Sequence, residues 1–240
     1  MSDNQDDAKL KISILTRIIA ALCVLLIPIS HAFALVQNDG LWASFLVQRP
    51  IAETSKWHYL FYSSMRFLDE DHPWKTAILE GGAGYTLVPD RAIWVGYRWV
   101  GENPNYGFSQ SNILFQQFVC GWTDASSNHG HVRSRLEEIS PNHESHLSYR
   151  LRERFFLRVP TSYFGGFEPT FFDEVFFQLN KTDYTSHQLV SQNRLFLGFY
   201  YYLTPGSFWE VGYINQYLFS TPQRREGHMN HILAITYALI

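Results

Sequence analysis

Arg194-Leu195-Phe196-Leu197-Gly198-Phe199-Tyr200-Tyr201-Tyr202-Leu203 is the stretch on which the fold turns. Successive side chains of a strand point to opposite faces. Leu195, Leu197, Phe199, Tyr201 and Leu203 therefore share one face, and Arg194, Phe196, Gly198, Tyr200 and Tyr202 share the other. The first face is apolar throughout, and the second mixes a charge, a glycine and phenols. An amphipathic helix would single out positions i, i+3 and i+4, which this stretch does not do.

The alternation recurs in eleven segments, near 41–48, 57–67, 75–87, 91–100, 112–121, 131–139, 147–159, 171–180, 193–203, 207–217 and 229–239. Trp57, Tyr59, Phe61, Met65 and Phe67 form one apolar face; Ile93, Val95, Tyr97 and Trp99 form another; Trp209, Val211, Tyr213 and Tyr217 form a third. Their opposite faces carry His58, Ser64 and Arg66; Gly96 and Arg98; Glu210, Gly212 and Gln216. Apolar-out, polar-in alternation predicts an all-β chain closed into an antiparallel transmembrane β-barrel, with tryptophan and tyrosine near the strand ends as interfacial girdles. A soluble sandwich or lipocalin-like barrel also alternates, but it turns its apolar face inward. A small barrel interior has too little volume for all these aromatic rings.

The N-terminus supplies a matching route. Lys9, Lys11 and Arg17 precede the apolar run Ile18–Ile29 and then Ala32-Phe33-Ala34, the order of a secretory signal peptide. Cleavage after Ala34 is expected, leaving 35–240 as the barrel domain of a protein of the Gram-negative outer membrane. The run is shorter than the roughly 20 residues a spanning helix needs. Cys23 would leave with the peptide, and Cys120 alone cannot form an internal disulfide. An exported fold without disulfides needs another source of stability, and a closed barrel pairs every backbone group between strands. A net charge of -3 over 240 residues gives no reason to expect nucleic acid as a partner.

Turns bear on strand number. Val88-Pro89-Asp90 and Thr204-Pro205-Gly206 read as tight periplasmic turns, and Gly101 to Ser111 and Ser220 to Asn230 as longer external loops. Eleven strands with a periplasmic C-terminus would start the barrel outside, and bacterial barrels usually have an even number. Twelve strands are expected, with ten as the alternative. The faces blur at Gln116 and Gln117, and Gly165-Gly166 and Pro169 suggest a bend in 160–172.

The most distinctive polar feature is a basic wall. Arg150, Arg152, Arg154 and Arg158 share one face of a strand, and Arg133 and Arg135 share a face with Glu137 in the segment before it. Glu80, Glu174 and Glu210 are candidate acidic partners across the lumen, and Arg66, Arg98 and Arg194 are further polar candidates. Such a wall suits a small pore for anionic solutes, and equally a paired Arg–Glu network that plugs the lumen. Both readings stay open, with the pore placed first. Glu153 falls on the outward face, where charge is costly at the bilayer midplane.

No catalytic residues are nominated. A lipid-modifying enzyme would need His and Ser in reach of each other, whereas His231, Ser63 and Ser134 lie on outward faces of well-separated segments. His129, His131, His143 and His146 cluster in sequence but flank a spanning strand, so no metal or other cofactor is expected. Gly81-Gly82-Ala83-Gly84 lacks the helix and Lys-Ser/Thr of a phosphate loop, and reads as close packing inside a strand.

Several motifs in order carry a family likeness: Leu41-Trp42, Gly96-Tyr97-Arg98-Trp99, Arg133-Ser134-Arg135-Leu136-Glu137-Glu138, Tyr149-Arg150-Leu151-Arg152, Asn193-Arg194-Leu195, Val211-Gly212-Tyr213-Ile214-Asn215-Gln216 and His228-Met229-Asn230-His231. On these residues the chain resembles the outer-membrane proteins grouped as domain of unknown function 2490, over nearly the whole segment after residue 34. The resemblance implies a signal peptide and a barrel and brings no activity with it. Outer-membrane lipid and the barrel assembly machinery are the expected partners, with a small anionic solute as a further one. The machinery commonly reads a terminal aromatic residue; this chain ends Tyr237-Ala238-Leu239-Ile240, so Tyr237 would have to serve.

Overall fold

The computed structural model describes residues 34–68, 75–103, 108–142, 144, 146–161, 164–185, 188–220 and 226–240. The expected signal peptide lies, but for Ala34, outside them. Eleven strands follow one another: β1 (Ala34–Pro50), β2 (Trp57–Leu68), β3 (Thr76–Val88), β4 (Arg91–Glu102), β5 (Ser109–Thr123), β6 (His129–Pro141), β7 (Ser148–Arg158), β8 (Phe167–Gln178), β9 (Val190–Thr204), β10 (Ser207–Leu218) and β11 (Gly227–Leu239). Each coincides with one alternating segment of the sequence. Every strand pairs with its sequence neighbours in antiparallel fashion, and β1 closes the barrel against β11.

The closing pair is parallel, running from Ala34 opposite Gly227 to Val47 opposite Leu239. That corrects the expectation of twelve strands, or ten. An even number is required only when the first and last strands pair antiparallel, and a parallel seam satisfies the same backbone groups with slanted bonds. The tight connections 89–90 and 205–206 and the end of β11 share one end of the barrel. The connections 103–108 and 219–226, and the start of β1, share the other.

Alternation sorts the side chains as the sequence implies. On β9, Leu197 is 54% exposed and Phe196 1%. Trp57, Tyr59, Phe61, Met65, Ile93, Val95, Tyr97, Trp209, Val211 and Tyr213 are all exposed on the outside. Tyr217 departs from this set: it is buried, with the ring of Phe219 edge-on at 4.7 Å. The two uncertain regions resolve simply. Gln117 turns inward and accepts from Arg135 Nε at 2.8 Å. Among the described residues of 160–172 the chain turns at 164–166, where φ of +60° at Gly165 and +91° at Gly166 favours glycine. Pro169 then sits inside β8, opposite Phe199.

Inward glycines let rings lie across neighbouring strands. Phe115 covers Gly96, and Phe196 covers Gly198 and Gly212. A layer built on Trp42, Phe156, Phe172, Phe196, Ile214 and Ile232 fills the middle of the barrel. Phe172 and Phe196 stack at 4.8 Å, Tyr200 and Phe208 at 4.3 Å, and His131 and Phe156 at 4.7 Å.

Candidate functional site

The basic wall forms because β4, β6, β7 and β9 each place arginine at alternate, inward positions, with β3, β6 and β8 supplying glutamate between them. Register does the rest. Arg133 lies opposite Arg154, Arg135 opposite Arg152 and Glu137 opposite Arg150, while Glu174 lies opposite both Arg154 and Arg194.

Seven arginines, Arg98, Arg133, Arg135, Arg150, Arg152, Arg154 and Arg194, converge on three glutamates, Glu80, Glu137 and Glu174. Glu80 accepts from Arg98 Nε at 2.6 Å and from Arg135 Nη2 at 2.9 Å. Glu137 accepts from Arg150 Nη2 and Arg152 Nη1, both at 2.6 Å, and from Arg98 Nη1 at 3.2 Å. Glu174 accepts from Arg133 Nη2 at 2.5 Å, Arg152 Nη2 at 2.8 Å and Arg154 Nη2 at 3.1 Å, with Arg194 Nη1 at 3.6 Å. Both Glu137 and Glu174 are 0% exposed, so these carboxylates are wholly desolvated and their partners replace water.

Rings hold the guanidinium groups from their other faces. Arg135 lies 4.0 Å from the centroid of Phe115, Arg154 4.2 Å from Phe172, and Arg152 and Arg194 each 4.7 Å from Phe176. Arg66, which pairs with no carboxylate among the described residues, stands 3.9 Å from the ring of Trp42. Desolvated cation–π contacts contribute about 2 kcal/mol each.

Besides Arg66, two predicted residues sit outside this lattice. Arg158 lies toward the tight-turn end, where it hydrogen-bonds Tyr202 and pairs with Glu168 at 3.2 Å. Glu210 faces Tyr200 across β9 and β10 and joins no ion pair among the described residues. Glu168, Gln117, Trp42 and Phe176 join the lumen set beyond the sequence expectation. Glu168 shares the parity of Glu174 on β8, which is the signal that finds it; the rings become visible as arginine supports only in three dimensions.

Above the lattice, at the end carrying connections 103–108 and 219–226, the lumen widens into a vestibule of about 410 Å³. Arg66, Arg98, Arg150, Arg152 and Arg194 reach it, with Trp42, Gln192, Gln216 and Asn230 on the wall. The rings and the ion-pair lattice lie beneath.

The outward polar residues pair locally. Ser134 donates to Glu153 at 2.7 Å, Asn193 to Asp173 at 2.7 Å, and Tyr213 lies 2.5 Å from Nδ1 of His231. Ser134 on β6, Ser63 on β2 and His231 on β11 stay apart. His129 bonds Thr123 at one end of β6, His131 turns into the lumen, His146 lies beyond the other end, and His143 is outside the described residues. Among the described residues no three metal-binding side chains come together.

No curated protein and no solved structure matches the chain. One family model matches residues 39–226, from β1 to the connection before β11. By that match the chain belongs to the family described as Protein of unknown function (DUF2490).

Proposed function

We propose that the chain is an outer-membrane β-barrel with a closed lumen, a plugged interaction barrel and not a pore. The observation that carries this reading is the lattice of seven arginines on three buried glutamates, laid over a layer of stacked rings. A solute path through it would have to break several desolvated charge pairs at once, at about 3–5 kcal/mol for each partner stripped away.

Membrane placement rests on the outward face. Leu, Val, Phe, Trp and Tyr are exposed there while the charges are gathered inside, the reverse of a soluble barrel. Strands of 11 to 17 residues meet or exceed the roughly 9–11 that a tilted strand needs to cross a bilayer. The ends follow from the loops: the tight turns 89–90 and 205–206 lie on the periplasmic side and the vestibule opens outward.

Refolding into phosphatidylcholine vesicles loaded with a small dye tests both parts. The expected result is a band whose gel mobility shifts on heating, as folded barrels show, with the dye retained. Failure to associate with vesicles contradicts the membrane placement, and dye release by the folded form contradicts closure.

A further inference from the structure

The charges of the lumen do not balance. Seven arginines share three carboxylates, and Arg66 adds another cation. Part of this surplus gathers at one place. Arg66, Arg98, Arg150, Arg152 and Arg194 all border the vestibule, which Lys75 and Glu102 also line. Arg66 and Arg194 approach the same indole, at 3.9 and 4.9 Å from Trp42.

Like charges gathered in a low-dielectric interior repel strongly. An anion seated among them offsets that repulsion. Guanidinium forks match carboxylate and phosphate oxygens in paired hydrogen bonds, which a spherical halide cannot reproduce. The volume of about 410 Å³ lies in the range of small-molecule sites. The cavity is inside the strand wall, so a lipid headgroup, held at the outer surface by its chains, is excluded, and the ligand is soluble.

We infer that the vestibule is a binding site for a compact soluble oxyanion, a phosphate or carboxylate compound held by Arg66 and Arg194 beside Trp42 and by Arg98, Arg150 and Arg152 on the floor. The inference rests on the barrel and its lattice and is independent of where the barrel resides.

The test is calorimetric titration of the full chain, folded in neutral detergent at low chloride, with inorganic phosphate and separately with citrate. Saturable binding of either is expected; the one bound identifies the oxyanion class. Arg66→Gln should weaken it about tenfold or more while the folded band is retained, and added chloride should weaken it only gradually. The unfolding midpoint of the unmodified chain should also rise with the concentration of the bound anion, a readout that needs no variant. Absence of saturable binding for both anions overturns the inference, as does binding by folded Arg66→Gln as tight as that of the unmodified chain. Neither result bears on dye retention, which tests closure separately.

Discussion

Arg152 donates from Nη1 to Glu137 at 2.6 Å, and from its other terminal nitrogen to Glu174 at 2.8 Å, so one buried guanidinium couples two carboxylates that are both 0% exposed. This link makes the lumen charges a single lattice, and it sets what each substitution should do.

Removing Glu137 strips an anion from Arg98, Arg150 and Arg152 together. Glu137→Gln should destabilise the barrel by about 3–5 kcal/mol, because the unpaired cations stay buried. Urea titration of the folded band reads the loss. Adding Arg152→Met should recover part of it, since an apolar pair tolerates burial that a lone charge does not.

Gly96 lies under the ring of Phe115, and a β-carbon there would sit 2.5 Å from the carbonyl oxygen of Gly81. Gly96→Ala should cost about 1–3 kcal/mol through overpacking. Phe115→Leu in the same chain should relieve the ring clash but not the backbone one, so folded yield returns only partly.

Glu153 and Ser134 form an outward pair on a face that is otherwise apolar around them. In lipid the pair satisfies itself and contributes little, so replacing both residues with Leu and Ala should leave stability unchanged or raise it. Glu153→Lys should lower the yield of vesicle-inserted protein. Equal insertion of the Lys variant would contradict lipid contact at this face.

The turn between β5 and β6 carries a local pH response. Asp124 accepts from Nδ2 of Asn128 at 2.9 Å and from the backbone N–H of Asn128 and Ser126 at 2.9 and 2.8 Å, bonds that hold its carboxyl below the usual aspartate range. These bonds favour the ionised form, so their contribution is complete above the ordinary aspartate pKa of about 3.9 and disappears as pH falls through the lower folded value. Amide resonances of Ser126 and Asn128 should titrate at that lower pH, and Asp124→Asn should abolish the transition.

How far the fold could be read in advance differs by feature. Period-two alternation located all eleven strands and separated Leu197 from Phe196 correctly, because strand geometry alone decides which face a residue takes. Strand parity is not legible locally, since the pairing of Val47 with Leu239 joins segments far apart in the chain and leaves no local signature. The arginines were legible as one face, but whether that face lines a path or fills it depends on Glu137 and Glu174 meeting their partners across strands. The vestibule was not legible, because Trp42 and Arg194 come together only when the barrel closes.

Conductance of the purified, folded chain in a planar lipid bilayer tests the closed lumen most directly. The account predicts insertion without steady current, and current only when the lattice is broken, as in Glu137→Ala with Arg152→Ala. Stable, ohmic conductance steps from the unmodified chain would contradict it.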